Sequence, residues 1–217
     1  MIENFERSSE YTRKMFRIDD KIIEEVEKES LGEKVPIITR EVLNFMIFEA
    51  NRIKAGNILE IGTATGFSGL FLARIANRNK GMLTTIEIDK ERHEKAVENF
   101  RKAGLLERNN LILGDALEEI PRLSMDKDAG KFDFVFIDAS KGQYRKFFEM
   151  CYELLSDEGT IFIDNIMFRG MVAKDGEDVP KRYRTIIKRL REFIDELNRN
   201  NNFILLPFGD GVGIVRK

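Results

Sequence analysis

Two carboxylates and one amide in the second half of the chain have the chemistry of metal ligands. Asp138 follows the apolar run Phe134–Ile137. Asp164 and Asn165 follow a second apolar run, Ile161–Ile163. If both runs are parallel strands, these side chains meet at one edge of a sheet. Their oxygens are the ligands that Mg²⁺ and similar hard cations prefer, which predicts a metal site; the alternative is that the acids only cap the following loops.

The composition excludes softer metal sites within one chain. The 217 residues include one His, His93, and one Cys, Cys151. A two-His site, a Cys-based zinc site and a disulfide framework each need more of these residues. We expect His93 to be solvated on a helix and Cys151 to lie in the core.

Lys141 lies three residues after Asp138 and is the candidate general base. In a dry site the amine could lose its charge and accept a proton from a substrate hydroxyl. The alternative is a solvated lysine at a helix start, because a metal ion can itself acidify a hydroxyl. Asp138 and Lys141 are therefore the catalytic candidates.

A glycine turn earlier in the chain has the features of a ligand-binding loop. The apolar segment Ile58–Ile61 contains Glu60 and runs into Gly62 and Gly66, which permit positive φ and a close backbone approach. The spacing matches neither the dinucleotide-binding fingerprint nor the phosphate-binding loop. The charge of Glu60 disfavours a pyrophosphate and suits an ammonium or sulfonium group. The alternative is an ordinary strand-to-helix turn.

Two further acids end the next two predicted strands. Glu87 closes the second strand, where a carboxylate can accept hydrogen bonds from ribose hydroxyls. Asp115 and Ala116 follow the third strand in a turn that could contact an adenine edge, although Asp115 also suits a helix cap. Together with Glu60, these acids favour a cationic cofactor that contains adenosine.

The hydrophobic pattern after Asn57 predicts the sheet that would bring these residues together. Short apolar runs alternate with helical patterns, which is typical of βαβ units. The predicted strands are Ile58–Ile61, Leu83–Ile88, Leu111–Leu113, Phe132–Ile137 and Thr160–Ile163. The predicted helices are Ser68–Ala76, Lys90–Ala103, Leu117–Leu123, Gln143–Leu155 and Lys181–Leu197.

Both ends of the chain depart from this alternation. Phe203–Phe208 and Val212–Val215 flank a Gly-Asp-Gly turn, which predicts a C-terminal antiparallel hairpin. The N-terminal segment has apolar positions at helical spacing, with Thr39 as one expected N-cap. The expected fold class is α/β, with a doubly wound, Rossmann-like, mostly parallel sheet, the antiparallel hairpin and N-terminal helices.

We expect one domain over residues 1–217, with residues 1–52 as a helical cap and residues 53–217 as the core. No apolar run approaches the roughly 18 residues of a spanning helix. The start of the chain lacks the apolar region of a secretion signal. The expected location is cytoplasmic, with no membrane partner.

The Gly62–Gly66 loop and its three acids resemble class I S-adenosylmethionine-dependent methyltransferases, from about residue 35 to the C-terminus. The resemblance implies S-adenosylmethionine as cofactor, with the ribose on Glu87 and the methionine part near the loop. The cofactor-binding residues are then Ile38, Glu60, Gly62, Gly66, Ser68, Glu87, Asp115, Ala116 and Asp138.

The Asp138…Lys141 and Asp164-Asn165 pairs are similar to the metal-dependent O-methyltransferases of the catechol and caffeoyl-coenzyme A type. This resemblance implies that Asp138, Asp164 and Asn165 hold Mg²⁺ or another hard divalent cation. The substrate would chelate the ion through two adjacent oxygens, which lowers the pKa of its hydroxyl and orients it towards the sulfonium methyl. The resemblance also implies a homodimer.

Longer stretches resemble a bacterial subgroup, the tRNA 5-hydroxyuridine methyltransferases, which form 5-methoxyuridine at the wobble position. They are residues 138–144, 164–173, 209–211 and 35–37. Thr65-Gly66-Phe67 and Ser140 depart from the subgroup pattern. Because the 5-hydroxyl and 4-carbonyl of 5-hydroxyuridine are adjacent oxygens, the leading expectation is a tRNA substrate. The alternatives are a small catechol-like substrate and a cofactor-binding scaffold without chemistry.

The charge distribution bears on the choice between a tRNA and a small-molecule substrate. With 36 Lys+Arg against 38 Asp+Glu, the net charge of −2 disfavours a globally basic nucleic-acid binder. Residues 180–191 nevertheless contain six basic residues and no acid. The RNA-binding candidates in and before this stretch are Arg169, Lys174, Lys181, Arg182 and Arg184. The alternative is the solvated face of an amphipathic helix.

Overall fold

The fold, taken from a computed structural model, is described for residues 2–125 and 130–217. In this part of the chain the helices are α1 (Ile2–Met15), α2 (Lys21–Gly32), α3 (Arg40–Arg52), α4 (Phe67–Arg78), α5 (Lys90–Lys102), α6 (Ala116–Met125), α7 (Tyr144–Leu154) and α8 (Arg184–Asn200). The strands are β1 (Ile58–Ile61), β2 (Leu83–Glu87), β3 (Asn110–Leu113), β4 (Phe132–Ile137), β5 (Leu155–Ile163), β6 (Asn202–Leu206) and β7 (Val212–Arg216). None of these helices is long and apolar enough to cross a membrane.

The seven strands form one sheet in the order β3-β2-β1-β4-β5-β7-β6. Strands β1 to β5 are parallel, whereas β7 runs antiparallel to both β5 and β6. The predicted α/β sheet with a C-terminal antiparallel hairpin is therefore confirmed. The strand order reverses between β1 and β4, where Ile61 pairs with Ile137. Open parallel sheets bind ligands outside the carboxyl ends of their strands at such a switch point.

Hydrophobic cores cover both faces of the sheet. Helices α6, α7 and α8 cover one face, and the N-terminal helices lie with α4 and α5 on the other. Leu43 and Met46 of α3 share a buried cluster with Phe134 and Phe162 of the sheet. The N-terminal helices are thus part of the core that supports the strand ends.

Most element boundaries differ from the sequence prediction, and the starts of β5 and α8 are the informative cases. Strand β5 begins at Leu155 rather than Thr160, because Leu155 still pairs with Phe132 of β4, before a register shift between Phe132 and Phe134. Helix α8 begins at Arg184, because the residues after Pro180 form a separate 3₁₀ turn. These differences leave the positions of Asp138 and Asp164 at their strand ends unchanged.

The single His and single Cys have different environments. Cys151 is buried, as expected, and burial raises the pKa of its thiol. His93 is half-buried rather than solvated, and its Nδ1 has no hydrogen-bond partner within the described residues. Neither residue contributes to the cavity described next.

Candidate active site

A cavity of about 300 Å³ opens at the carboxyl ends of the parallel strands. Seven predicted catalytic, cofactor or metal residues line it: Gly62, Glu87, Asp115, Ala116, Asp138, Lys141 and Asn165. Five others lie outside its lining: Ile38, Glu60, Gly66, Ser68 and Asp164. Sequence reasoning missed the polar lining residues Arg92 and Gln143. It also missed apolar lining residues, which carry no chemical signal of their own: Pro36, Ile61, Ile86, Ile88 and Phe147.

The acids that follow β2 and β3 are fixed by backbone donors. The N–H groups of Ala64 and Asp89 donate to the two carboxylate oxygens of Glu87, at 2.7 and 2.9 Å. Asp115 accepts a hydrogen bond of 2.9 Å from the N–H of Leu117 and so acts as a helix cap. Both acids also border the cavity, so a capping role and a ligand-binding role are compatible.

Glu60 lies beneath the glycine loop and is fully buried. Alternate residues of a strand face opposite sides of the sheet, so Glu60 points away from the cavity that its neighbour Ile61 lines. The hydroxyls of Ser68 and Thr85 each donate a hydrogen bond of 2.6 Å to its carboxylate. Burial raises the pKa of Glu60 to about 7, with smaller contributions from the charges of Asp138 and Glu87.

Glu60 is expected to make the protein less stable as the pH rises from about 4.5 to about 7. In this range folded Glu60 retains a proton that the unfolded chain, with its ordinary pKa of 4.5, has already released. The stabilisation is complete below about pH 4.5 and is lost through pH 7, with an upper limit of about 3 kcal/mol. Urea unfolding from pH 5 to 8 should therefore show a steeper fall for the wild type than for Glu60→Gln. Equal pH slopes would refute this role.

The glycine loop is joined to the N-terminal helices by a buried polar network. Ser30 of α2 donates to the carbonyl of Val26, and its oxygen lies 2.7 Å from the hydroxyl of Thr65. The side chain of Asn99 donates to the backbone carbonyl of Thr65 at 2.9 Å. Thr65 is one of the departures from the subgroup pattern, and its hydroxyl partner on α2 gives that departure a structural reason.

Removal of either hydroxyl should destabilise the fold through its buried partner. We expect Ser30→Ala and Thr65→Val each to lower the unfolding free energy by about 1–3 kcal/mol, because a buried polar group loses its hydrogen bond. The double variant should cost less than the sum of the single changes. Denaturant titrations test this, with the exposed Ser124→Ala as control. Additive effects would show that the two hydroxyls act separately.

Three oxygen-bearing side chains meet beside Lys141. Its ammonium donates to Asp138 Oδ1 at 3.0 Å and to Asn165 Oδ1 at 3.1 Å. Asp164 is buried at the end of β5 and accepts a hydrogen bond of 2.7 Å from the N–H of Asn165. The structure therefore brings the predicted ligands of β4 and β5 together around a cationic group.

The electrostatics of this cluster favour a further cation. Burial raises the pKa of Asp164 to about 8, and the charge of Asp138 adds to the shift. Within residues 2–125 and 130–217, no group of three His, Cys, Asp or Glu residues could hold a metal, so a metal here also needs the amide of Asn165. Two carboxylates and an amide form an all-oxygen donor set, which fits Mg²⁺ or a similar hard ion.

The predicted RNA-binding cations follow Asn165 along the chain. Arg169, Lys174, Lys181, Arg182 and Arg184 are all exposed, and none forms an ion pair in the described part of the chain. Arg182 stacks over the ring of Tyr183 at 4.6 Å, and Arg184 donates to the carbonyl of Val179. Tyr183 in turn packs edge-on against Phe168, with ring centroids 5.3 Å apart. The cations therefore belong to a segment that begins at the candidate metal site.

The parallel sheet, the cavity at its switch point and the acids at successive strand ends define the class of S-adenosylmethionine-dependent methyltransferases. A family model described as O-methyltransferase matches residues 10–217. The chain therefore belongs to the O-methyltransferase family.

Named relatives and solved structures agree with this membership. The chain is 30% identical to caffeoyl-CoA O-methyltransferase 1 of Eucalyptus globulus over 171 residues, which cover 76% of this chain and 68% of the relative. A methyltransferase of Podospora anserina, PaMTH1, solved with S-adenosylhomocysteine, superposes with a TM-score of 0.83 at 27% identity over 99% of this chain and 95% of the other. An O-methyltransferase of Bacillus cereus, also solved with S-adenosylhomocysteine, gives 0.81 at 26% identity over the full length of both chains.

Proposed function

We propose that this O-methyltransferase transfers the methyl group of S-adenosylmethionine to a hydroxyl of a small molecule that carries a second oxygen beside it. The observation that carries the proposal is the meeting of Asp138 and Asn165 at the Lys141 ammonium, next to buried Asp164. The caffeoyl-CoA O-methyltransferases among the relatives support a catechol-like acceptor. The homodimer implied by the resemblance is part of the proposal and can be tested by analytical ultracentrifugation.

The residues at the strand ends have different roles in this proposal, on the cofactor side or on the acceptor side. Glu87 and Asp115 border the part of the cavity that suits the adenosine of the cofactor, and Gly62 lets the backbone pass close to its methionine part. Glu60 lies beneath the glycine loop and supports it by accepting a hydrogen bond from the hydroxyl of Ser68. The acceptor hydroxyl would lie at the Asp138 end, so that it faces the methyl group in line with the bond that breaks.

Asp138, Asp164 and Asn165 would hold a divalent metal ion at this end of the cavity. When bound, such an ion acidifies a hydroxyl and orients two adjacent oxygens of one substrate. Lys141 is held beside the same oxygens, where its ammonium can stabilise the negative charge that develops on the acceptor oxygen. To act as the base that takes the proton of the acceptor hydroxyl, it would first have to release one of its own protons to solvent. Asp138 therefore connects the cofactor cavity with the acceptor position.

The exposed cations after Asn165 favour an acceptor with negative charge. Lys181 and Arg182 are exposed and could contact phosphate groups, which a coenzyme A thioester and an RNA both supply. The second candidate substrate is therefore 5-hydroxyuridine in tRNA, since its 5-hydroxyl and 4-carbonyl are also adjacent oxygens. The small-molecule acceptor has the stronger support, because the named relatives act on caffeoyl-CoA.

A methyl-transfer assay with three acceptors distinguishes the candidates. Labelled S-adenosylmethionine would be offered with caffeoyl-CoA, with free catechol, and with tRNA that contains 5-hydroxyuridine, each with Mg²⁺ and with EDTA. The proposal expects EDTA-sensitive turnover that is fastest on a small molecule. Faster turnover of tRNA would favour the second candidate. Lys181→Ser with Arg182→Ser should slow only phosphate-bearing acceptors, whereas the exposed Lys28→Ser should have no effect.

A further inference from the structure

We propose that Asp210, in the turn between β6 and β7, is a positioning residue for the metal and acceptor end of the site. It does not border the cavity. Its contacts instead hold the loop that leaves Asn165, one of the proposed metal ligands. The inference therefore rests on the proposed function and adds to it a support residue from the C-terminal hairpin.

Asp210 receives three backbone hydrogen bonds from this loop. Its carboxylate accepts from the N–H of Arg169 at 2.5 Å and from the N–H of Gly170 at 3.0 Å. Its own backbone carbonyl accepts from the N–H of Met167 at 3.0 Å. Three of the five backbone N–H groups of residues 166–170 thus donate to one residue that lies about 40 positions further along the chain.

The loop needs such a partner because its backbone conformation is unfavourable by itself. Phe168, Arg169 and Gly170 have consecutive φ values of 44°, 57° and 67°. Left-handed geometry costs about 1–2 kcal/mol for each residue with a side chain, so two of the three positions are strained. Successive N–H groups in such a turn form a concave site for an anion, and the Asp210 carboxylate fills it.

The hairpin turn also contacts the loop at its first residues. The N–H of Ile166 donates to the carbonyl of Gly211 at 3.1 Å. A Cβ atom at Gly211 would lie 2.0 Å from Cγ of Met167, so the two segments pack without space between them. Asn165 itself has a φ of 53° and precedes this contact directly. The position of its side-chain oxygen beside Lys141 therefore depends on where the hairpin turn holds the loop.

The contact between Asp210 and the loop after Asn165 also affects the position of the segment that carries the exposed cations. Phe168, inside the strained turn, packs edge-on against Tyr183 just before α8. Loss of the Asp210 carboxylate would release Arg169 and Gly170 and let this contact shift. We expect the metal ligand and the acceptor side of the site to change together, whereas the cofactor side, built on β1 and β2, stays in place.

Direct binding measurements on the purified full-length protein test this role. Mn²⁺ would be titrated and followed by its electron paramagnetic resonance signal, and S-adenosylhomocysteine binding would be measured by calorimetry. We expect Asp210→Ala to weaken Mn²⁺ binding by about 10- to 100-fold, as expected for the loss of a residue that orients a ligand. Its affinity for S-adenosylhomocysteine should stay within about twofold, because the hydrogen bonds of Asp210 within the described residues go to the loop after Asn165 and not to the cofactor side.

Two more variants make the result specific. Asp210→Asn keeps the size of the side chain and one acceptor oxygen, so it should bind Mn²⁺ with intermediate affinity, and it remains informative if Asp210→Ala does not fold. Asp157→Ala removes an exposed carboxylate at the other end of β5 and should match the wild type. If both Asp210 variants bound Mn²⁺ with wild-type affinity, the inference about Asp210 would be overturned and the proposed metal site would stand. No Mn²⁺ binding by the wild type would reject the metal site itself, and the inference with it.

Discussion

Replacement of Asp164 by alanine is expected to reduce methyl transfer by about 1,000-fold or more and to leave cofactor binding nearly intact. Asp164 is buried at the end of β5 and lies outside the cavity lining. Its proposed role is to hold the metal, which contributes several kcal/mol to the stabilisation of the transition state. Loss of the metal should therefore lower turnover, whereas the contacts proposed between Glu87, Gly62 and the cofactor should remain.

A second variant, Asp164→Asn, should distinguish loss of catalytic activity from loss of the folded structure. Burial and the nearby charge of Asp138 make the ionised form of Asp164 unfavourable in the metal-free protein and raise its pKa to about 8. Asp164→Asn cannot ionise, retains an acceptor for the N–H of Asn165 and should unfold at no lower a temperature than the wild type. Turnover, Mn²⁺ titration and S-adenosylhomocysteine calorimetry on both variants test the prediction. Turnover within tenfold of the wild type would contradict the assignment of Asp164 as a ligand.

The strand ends show which parts of the site a sequence can predict. Asp138 and Asp164 each follow an uninterrupted apolar run, and such runs predict buried parallel strands whose carboxyl ends lie together. The direction in which a side chain points is harder to predict. In β1 both faces are buried, so apolar residues surround Glu60 on either side, and the sequence does not show that it faces away from the cavity.

The contacts of Asp210 and Thr65 illustrate a second limit. The Gly-Asp-Gly sequence predicted a hairpin turn, but the turn's hydrogen bonds to Arg169 and Gly170 span about 40 residues. Thr65 could be recognised as a departure from a pattern, whereas its partner Ser30 lies 35 residues before it. Local spacing predicts local structure, and contacts of this kind depend on how helices and turns pack.

The substrate shows a third limit, which is chemical. A catechol and a 5-hydroxyuridine both present two adjacent oxygens, so the residues around Lys141 suit either one. Discrimination between the two substrates must come from the residues around these oxygens. The role proposed for the exposed residues Lys181 and Arg182, which is to contact phosphate, would suit either phosphate-bearing substrate. The stretches that resemble the tRNA methyltransferase subgroup favoured tRNA, whereas the relatives support a small-molecule acceptor.

The substitution Gly62→Ala is expected to damage the fold, the cofactor site and the metal site together. A Cβ atom there would lie 2.0 Å from the backbone carbonyl oxygen of Asp138. Because that oxygen belongs to the backbone of the neighbouring strand end, no side-chain rotation can relieve the clash. Gly62 also has a φ of 95°, which a residue with a side chain adopts only under strain.

We expect Gly62→Ala to lower the unfolding free energy by about 3–5 kcal/mol, from backbone strain and overpacking combined. In the folded fraction, β1 and β4 would have to separate at Ile61 and Ile137, which are paired in the sheet. Separation would displace the glycine loop from the cofactor and Asp138 from Asn165. Binding of S-adenosylhomocysteine and of Mn²⁺ should both fall, in contrast to Asp164→Ala, where only Mn²⁺ binding falls.

A second glycine provides the matched control. Gly32 ends α2 in an ordinary helical conformation, and no atom lies within 4 Å of the position its Cβ would take. Gly32→Ala should therefore stabilise the protein slightly, by up to about 1 kcal/mol. Thermal unfolding and both titrations on the two alanine variants complete the comparison. A Gly62→Ala variant with the melting temperature and cofactor affinity of the wild type would contradict this prediction. The close contact between β1 and β4 would then not link the cofactor site to the metal site.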